Sequence, residues 1–134
     1  MALDVGLKNT GIAVTDPAKI IATGLATVDT ATLISFIKNY QKTEPIELFV
    51  VGESKNFDGT PMQATPIIEA FVLELKKNFP NIPIEREDER FTSKMAFRTI
   101  IEVGIKKQER KQKKLVDKVA AVIILQSYMS RKNL

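Results

Sequence analysis

Five acids stand where carboxylate chemistry could be done: Asp4, Glu53, Asp88, Glu89 and Asp117. Asp4 closes a short apolar run in the pattern Asp-x-Gly-x-x-x-x-Gly formed with Gly6 and Gly11. A carboxylate at the carboxyl end of a strand faces the crevice of a sheet, Gly6 keeps its surroundings open, and Gly11 permits a tight return into a second strand. A strand-ending Asp beside a turn glycine is equally ordinary turn chemistry. Asp88-Glu89-Arg90 precedes Phe91-Thr92-Ser93, just past one strand and just before a helix cap. A carboxylate there would meet Asp4 at the same sheet edge if the two strands are neighbours; the alternative is a polar loop in which Arg90 pairs with an adjacent acid. Asp117 shares a helical face with Ala120, Ala121, Ile124 and Tyr128. A carboxylate on that core-facing stripe is costly unless it is paired or holds a metal. Its alternatives are a first-turn acid favoured by the helix dipole, or one neutralised by Lys114 or Lys118. Glu53 ends the fourth strand, with Lys55 as a neighbour that could make it a plain loop acid.

The residues that are absent narrow the chemistry further. With no cysteine and no histidine in 134 residues, disulfides, thiolate or imidazole zinc sites and every histidine-based triad are excluded. Catalysis must run on carboxylates, lysine or hydroxyls, and clustered carboxylates select hard cations, Mg²⁺ or Mn²⁺. The net charge of +4 is uneven: from Gly104 onward nine basic residues face only Glu109 and Asp117, a net +7, against −3 for the first 103 residues. Such a block attracts polyanions such as nucleic acid, although an isolated charge run is often only a solvated loop.

These residues need elements to hold them. Met1–Val5 and Gly11–Thr15 form a hairpin, and Ile20–Val28 a third strand with Gly24 as a bulge. Asp29 or Thr30 caps a helix whose apolar stripe is Leu33, Phe36, Ile37 and Tyr40. Ile46–Val51 reads as a strand covered on both faces and ending at Gly52. Residues 53–66 form a loop into a helix over Ile67–Lys77, followed by a strand over Ile82–Glu87. Thr92 or Ser93 caps a helix through Val103, and a final helix covers Lys114–Met129. The intervening Ile105–Lys113 is too polar to pack and is expected to be mobile.

In order this is an α/β chain with a mixed central sheet, a three-strand antiparallel meander and then β-α-β-α-β-α, with helices on both faces. Residues 1–134 fit one domain, and 44% hydrophobic with 27% charged residues is ordinary for a globular protein. No apolar run reaches the roughly 18–20 residues of a membrane span and no signal peptide is evident, so the expected location is the cytoplasm. A sugar-kinase or actin-like ATPase also uses an Asp-x-Gly hairpin against phosphate, but it needs two such domains around a cleft.

Taken together, Asp4-Val5-Gly6, the strand end Val50-Val51-Gly52, the segment Asp88–Ser93 and the closing Asp117–Tyr128 resemble, in order and spacing, the signature of the YqgF/RuvX family. The resemblance covers essentially the whole chain. It implies an RNase H-like fold and a metal-dependent nuclease that hydrolyses phosphodiester bonds, acting in maturation of the small-subunit (16S) rRNA precursor or in Holliday junction resolution. A non-catalytic nucleic-acid-binding domain would keep the fold with too few acids. Residue by residue, the resemblance puts Asp4, Asp88 and Asp117 at the family's metal-binding positions, with Glu89 in the same motif. Glu53 departs from the commoner apolar residue there, though in RuvC-type resolvases an acid ends the corresponding strand. Lys8, Arg90, Lys106, Lys107, Arg110, Lys111, Lys113 and Lys114 are the expected contacts to structured RNA or branched DNA, while Asn9 replaces a basic residue expected beside Lys8. Only Met1 to Leu3 precede Asp4, which leaves room for a few further residues ahead of Met1. RNA trimming is compatible with a monomer and resolution calls for a homodimer.

Overall fold

The computed structural model describes residues 1–53, 65–88 and 109–132, with side chains over 1–53, 66–88 and 115–132. The strands are β1 (Ala2–Val5), β2 (Asn9–Thr15), β3 (Ala22–Asp29), β4 (Phe49–Glu53) and β5 (Ile84–Asp88); the helices are α1 (Leu33–Gln41), α2 (Thr65–Asn78) and α3 (Glu109–Arg131). The sheet order is β3-β2-β1-β4-β5. β1–β2 and β2–β3 are antiparallel, and β1–β4 and β4–β5 are parallel. The mixed sheet and the meander are therefore as the sequence implies.

Strand alternation divides the core in two. Leu3, Val5, Ile12, Phe49 and Val51 pack against Leu33 and Ile37 of α1 and Ile68, Phe71, Val72 and Leu75 of α2. Ala2, Ala13 and Val50 point the other way, against Ala121, Ile124, Leu125, Tyr128 and Met129 of α3. Helices thus cover both faces. The bulge expected near Gly24 lies beside it: Ile12 faces Ala26 and Ala13 faces Gly24, so Leu25 is the extra residue in β3.

Several expectations need correction. Neither Asp29 nor Thr30 caps α1 through its side chain: a 3-10 turn over Thr30–Thr32 comes first and the cap position falls on Thr32. The Thr30 hydroxyl instead donates to the Gly6 carbonyl at 2.8 Å and lies 2.9 Å from the hydroxyl of buried Thr10. With the Thr30 proton spent on Gly6, Thr10 is the donor between the two hydroxyls. β4 begins at Phe49, not Ile46, and runs through Gly52 to Glu53. The polar Ile105–Lys113 segment was expected to be mobile, yet Glu109–Lys113 belongs to α3, which is 23 residues long. The helix expected between Thr92 and Val103 lies outside the described residues.

Candidate active site at the carboxyl ends of the parallel strands

β1, β4 and β5 run in the same direction, and each carries an acid at or next to its carboxyl end: Asp4, Glu53 and Asp88. In open α/β sheets this is the edge where ligands bind. Asp4 alternates with Leu3 and Val5 and shares the face of Ala2, the face covered by α3. Its ladder partner in β2 is Gly11. On the other side, one residue beyond the Leu3–Val51 pair, β4 places Gly52. Asp4, half-buried, thus stands between two residues without side chains.

Gly11 has a different role from the one its spacing suggested. The β1–β2 return is made by Gly6, whose N–H donates to the Asn9 carbonyl at 3.0 Å and whose missing Cβ would stand 2.7 Å from that oxygen. Gly11 lies inside β2, and a Cβ there would overlap the backbone carbonyl of Asp117. The helix backbone at Asp117 rests directly on the residue that pairs with Asp4, and the two acids are brought to adjacent positions.

Asp117 is half-buried, in line with the buried residues Ala120, Ala121, Ile124 and Tyr128. Because α3 starts at Glu109, Asp117 sits in the third turn, which removes the reading of it as a first-turn acid serving the helix dipole. Its neighbour Lys118 lays its aliphatic stem over Gly24 of β3, where a Cβ would approach Lys118 Cγ to 2.8 Å.

Asp88 does not meet Asp4 through neighbouring strands, because β4 lies between β1 and β5. Asp88 is exposed and is the register partner of half-buried Glu53. By alternation this pair shares the face of Arg86, which reaches Glu69 of α2 at 2.9 Å, opposite to the face of Asp4 and Asp117. The sheet thus splits the candidate acids into two pairs at one end, and among the described residues no three acids converge as a ready metal cage. Glu89, Arg90, Lys106 and Lys107 lie outside the described residues, Lys8 is exposed in the β1–β2 turn, and Arg110, Lys111, Lys113 and Lys114 occupy positions in α3.

Sequence reasoning missed Glu87. It is buried on the α3 side of β5 and accepts from Arg131 Nε at 3.1 and 3.4 Å, a pair that fastens the end of α3 to the outer strand. Burial, reinforced by a hydrogen bond with Glu85, raises the Tyr128 hydroxyl above the ordinary tyrosine value, and the Arg131 guanidinium lies 5.5 Å from the Tyr128 ring centroid. The alternation of Glu85 and Glu87 with Ile84 and Arg86 was the available signal.

A family model described as RuvX, Holliday junction resolvase, matches residues 1–131. The chain belongs to the RuvX family. Two relatives, each named "Putative pre-16S rRNA nuclease", are 52% identical over 132 residues in Flavobacterium psychrophilum and 51% identical over 129 residues in Christiangramia forsetii. These alignments cover 98% and 96% of this chain and 96% of each relative. Among solved structures, Thermus thermophilus RuvC matches with a TM-score of 0.52 at 12% identity, covering 98% of this chain and 94% of that one. At that identity the likeness speaks for the fold: this RuvX chain has the RNase H-like architecture of RuvC.

Proposed function

We propose that this chain is a divalent-metal-dependent nuclease that hydrolyses phosphodiester bonds in the 16S rRNA precursor, in the cytoplasm. The observation that carries the reading is the seating of Asp117 on Gly11, the ladder partner of Asp4, which joins two acids distant in sequence at the carboxyl edge of the sheet. The names of relatives about half identical to this chain supply the substrate class.

The donor set fits Mg²⁺ or Mn²⁺ because it is all oxygen, with Asp4 and the Asp117 backbone brought together through Gly11. When bound, such cations supply an activated water and stabilisation of the leaving oxygen. Asp4 and Asp117 would hold them from the α3 side. Asp88, with Glu89 next in sequence and Glu53 as its register partner, would add carboxylates from the opposite face, at the ends of β4 and β5. Lys8, Arg90 and the basic residues of the run Lys106, Lys107, Arg110, Lys111, Lys113 and Lys114 bind phosphates and carry the substrate to that edge.

Resolution of Holliday junctions is the second reading, favoured by the description of the matching family. Symmetric cutting of two strands requires two active sites, so that reading needs a dimer on its substrate. The two are separated by incubating the protein with Mg²⁺ or Mn²⁺ and either a 16S precursor fragment or a four-way DNA junction. Cleavage of the RNA by a monomer is expected; paired nicks in the junction by a dimer would replace this reading with the second. Metal-dependent cleavage of neither, with binding retained, would leave a nucleic-acid-binding domain.

A further inference from the structure

We infer that Gly11 and Gly24 form a seat that sets the depth and rotation of α3 on the sheet, which makes Gly11 a positioning residue for the Asp4–Asp117 pair. The inference rests on the reading of those acids as the metal-holding pair. Gly11 pairs with Asp4 across β1–β2, and the Asp117 carbonyl occupies the volume where its Cβ would be. Gly24 pairs with Ala13, two residues along β2 from Gly11, and its missing Cβ leaves the track in which the Lys118 stem and Val122 lie. Consecutive helix residues, Asp117 and Lys118, are thus each received by a glycine on a different strand. A helix touching the sheet at one point can roll about its axis; one received at two strands cannot roll without driving Lys118 into β3 or lifting Asp117 from β2.

The two glycines differ in what a methyl group would meet. At Gly11 the obstacle is backbone, which has no way to yield except by moving the helix outward by about an ångström or more to restore ordinary contact. Misplacement of that size costs on the order of 10²-fold in rate. At Gly24 the obstacle is the Lys118 side chain at Cγ, 2.8 Å, and Cδ, 3.1 Å, which a change of Lys118 rotamer relieves without moving the helix, with Val122 Cγ2 at an ordinary 3.4 Å. Elsewhere α3 is held by Ala121, Ile124, Leu125, Tyr128 and Met129 and by the Arg131–Glu87 pair, so a shift at Asp117 need not release the helix.

The test combines thermal unfolding without metal and Mn²⁺ binding by calorimetry. Without metal, Asp4→Asn and Asp117→Asn are expected to change the melting temperature non-additively in the parent protein and additively in Gly11→Ala, because the shifted helix carries Asp117 away from Asp4. Mn²⁺ affinity should fall about 10-fold or more in Gly11→Ala and by only a few-fold in Gly24→Ala, with Lys118→Ala restoring the latter. Additive behaviour in the parent, or a folded Gly11→Ala that keeps the coupling and the affinity, overturns the seat. If Gly11→Ala does not fold, the Gly24→Ala shift and its reversal decide, and their absence overturns it. Coupling that depends on Gly11 in a protein that binds no Mn²⁺ would sustain the seat and sink only the metal reading.

Discussion

Asp117 is where α3 meets the strand that pairs with Asp4. Helical spacing alone put it on the stripe of Ala120, Ala121, Ile124 and Tyr128, and the buried face confirms that stripe. What spacing could not give is the partner surface, because a glycine such as Gly11 reads the same in a turn as in a strand awaiting a helix. The sequence pattern assigned Gly11 to the hairpin return; the close approach of the Asp117 carbonyl is a tertiary fact. With the helix-dipole reading removed, Asp117→Asn separates the two that remain, a metal-holding acid beside Asp4 and an acid neutralised by Lys114 or Lys118. On the first, it relieves like-charge repulsion beside Asp4, so the metal-free protein should melt at the same temperature or higher. It should also lose the extra stability that millimolar Mn²⁺ gives by binding the folded state. Thermal denaturation with and without Mn²⁺ reads both; a variant that melts lower without metal yet keeps the full Mn²⁺ shift would remove Asp117 from the site.

Among the elements, α3 brings both Asp117 and a basic run to the sheet. Its apolar face was legible from Leu115 onward, but its start was not. The composition of residues 105–113 has no apolar periodicity, and helix formation there is local: Glu109 to Lys114 are good helix formers continuing an established helix, which costs little once the nucleus exists. Arg110, Lys111, Lys113 and Lys114 are therefore carried on a helix that continues into Asp117. Replacing Lys106, Lys107, Lys111, Lys113 and Lys114 together with Gln keeps helix propensity while removing charge. Nucleic-acid affinity should fall, the dependence of log affinity on log salt should flatten, and the melting temperature should change little. Gln112→Pro, which breaks the helix but keeps every charge, should also weaken binding. Filter binding across a salt series measures all three proteins, and unchanged affinity and slope in the Gln variant would reduce the basic run to a solubility feature.

For the whole molecule, the mixed sheet, the meander and the two-sided helix cover were readable from the order of apolar runs and turn residues. Strand order was not. A β1–β5 neighbour pair would have put Asp88 beside Asp4, but β4 intervenes, and strand pairing depends on contacts remote in sequence. The result is an edge with Asp4 and Asp117 on one face and Glu53 and Asp88 on the other, under an architecture shared with RuvC. On the proposed function, cleavage at that edge requires metal held by Asp4. Its most direct test is the Mg²⁺ dependence of RNA cleavage by the parent protein and by Asp4→Asn, with circular dichroism confirming the fold of each. Cleavage is expected to rise with Mg²⁺ in the parent and to fall by about two or more orders of magnitude in Asp4→Asn at every Mg²⁺ concentration. Equal cleavage by the folded variant, or parent cleavage undiminished in excess chelator, would contradict it.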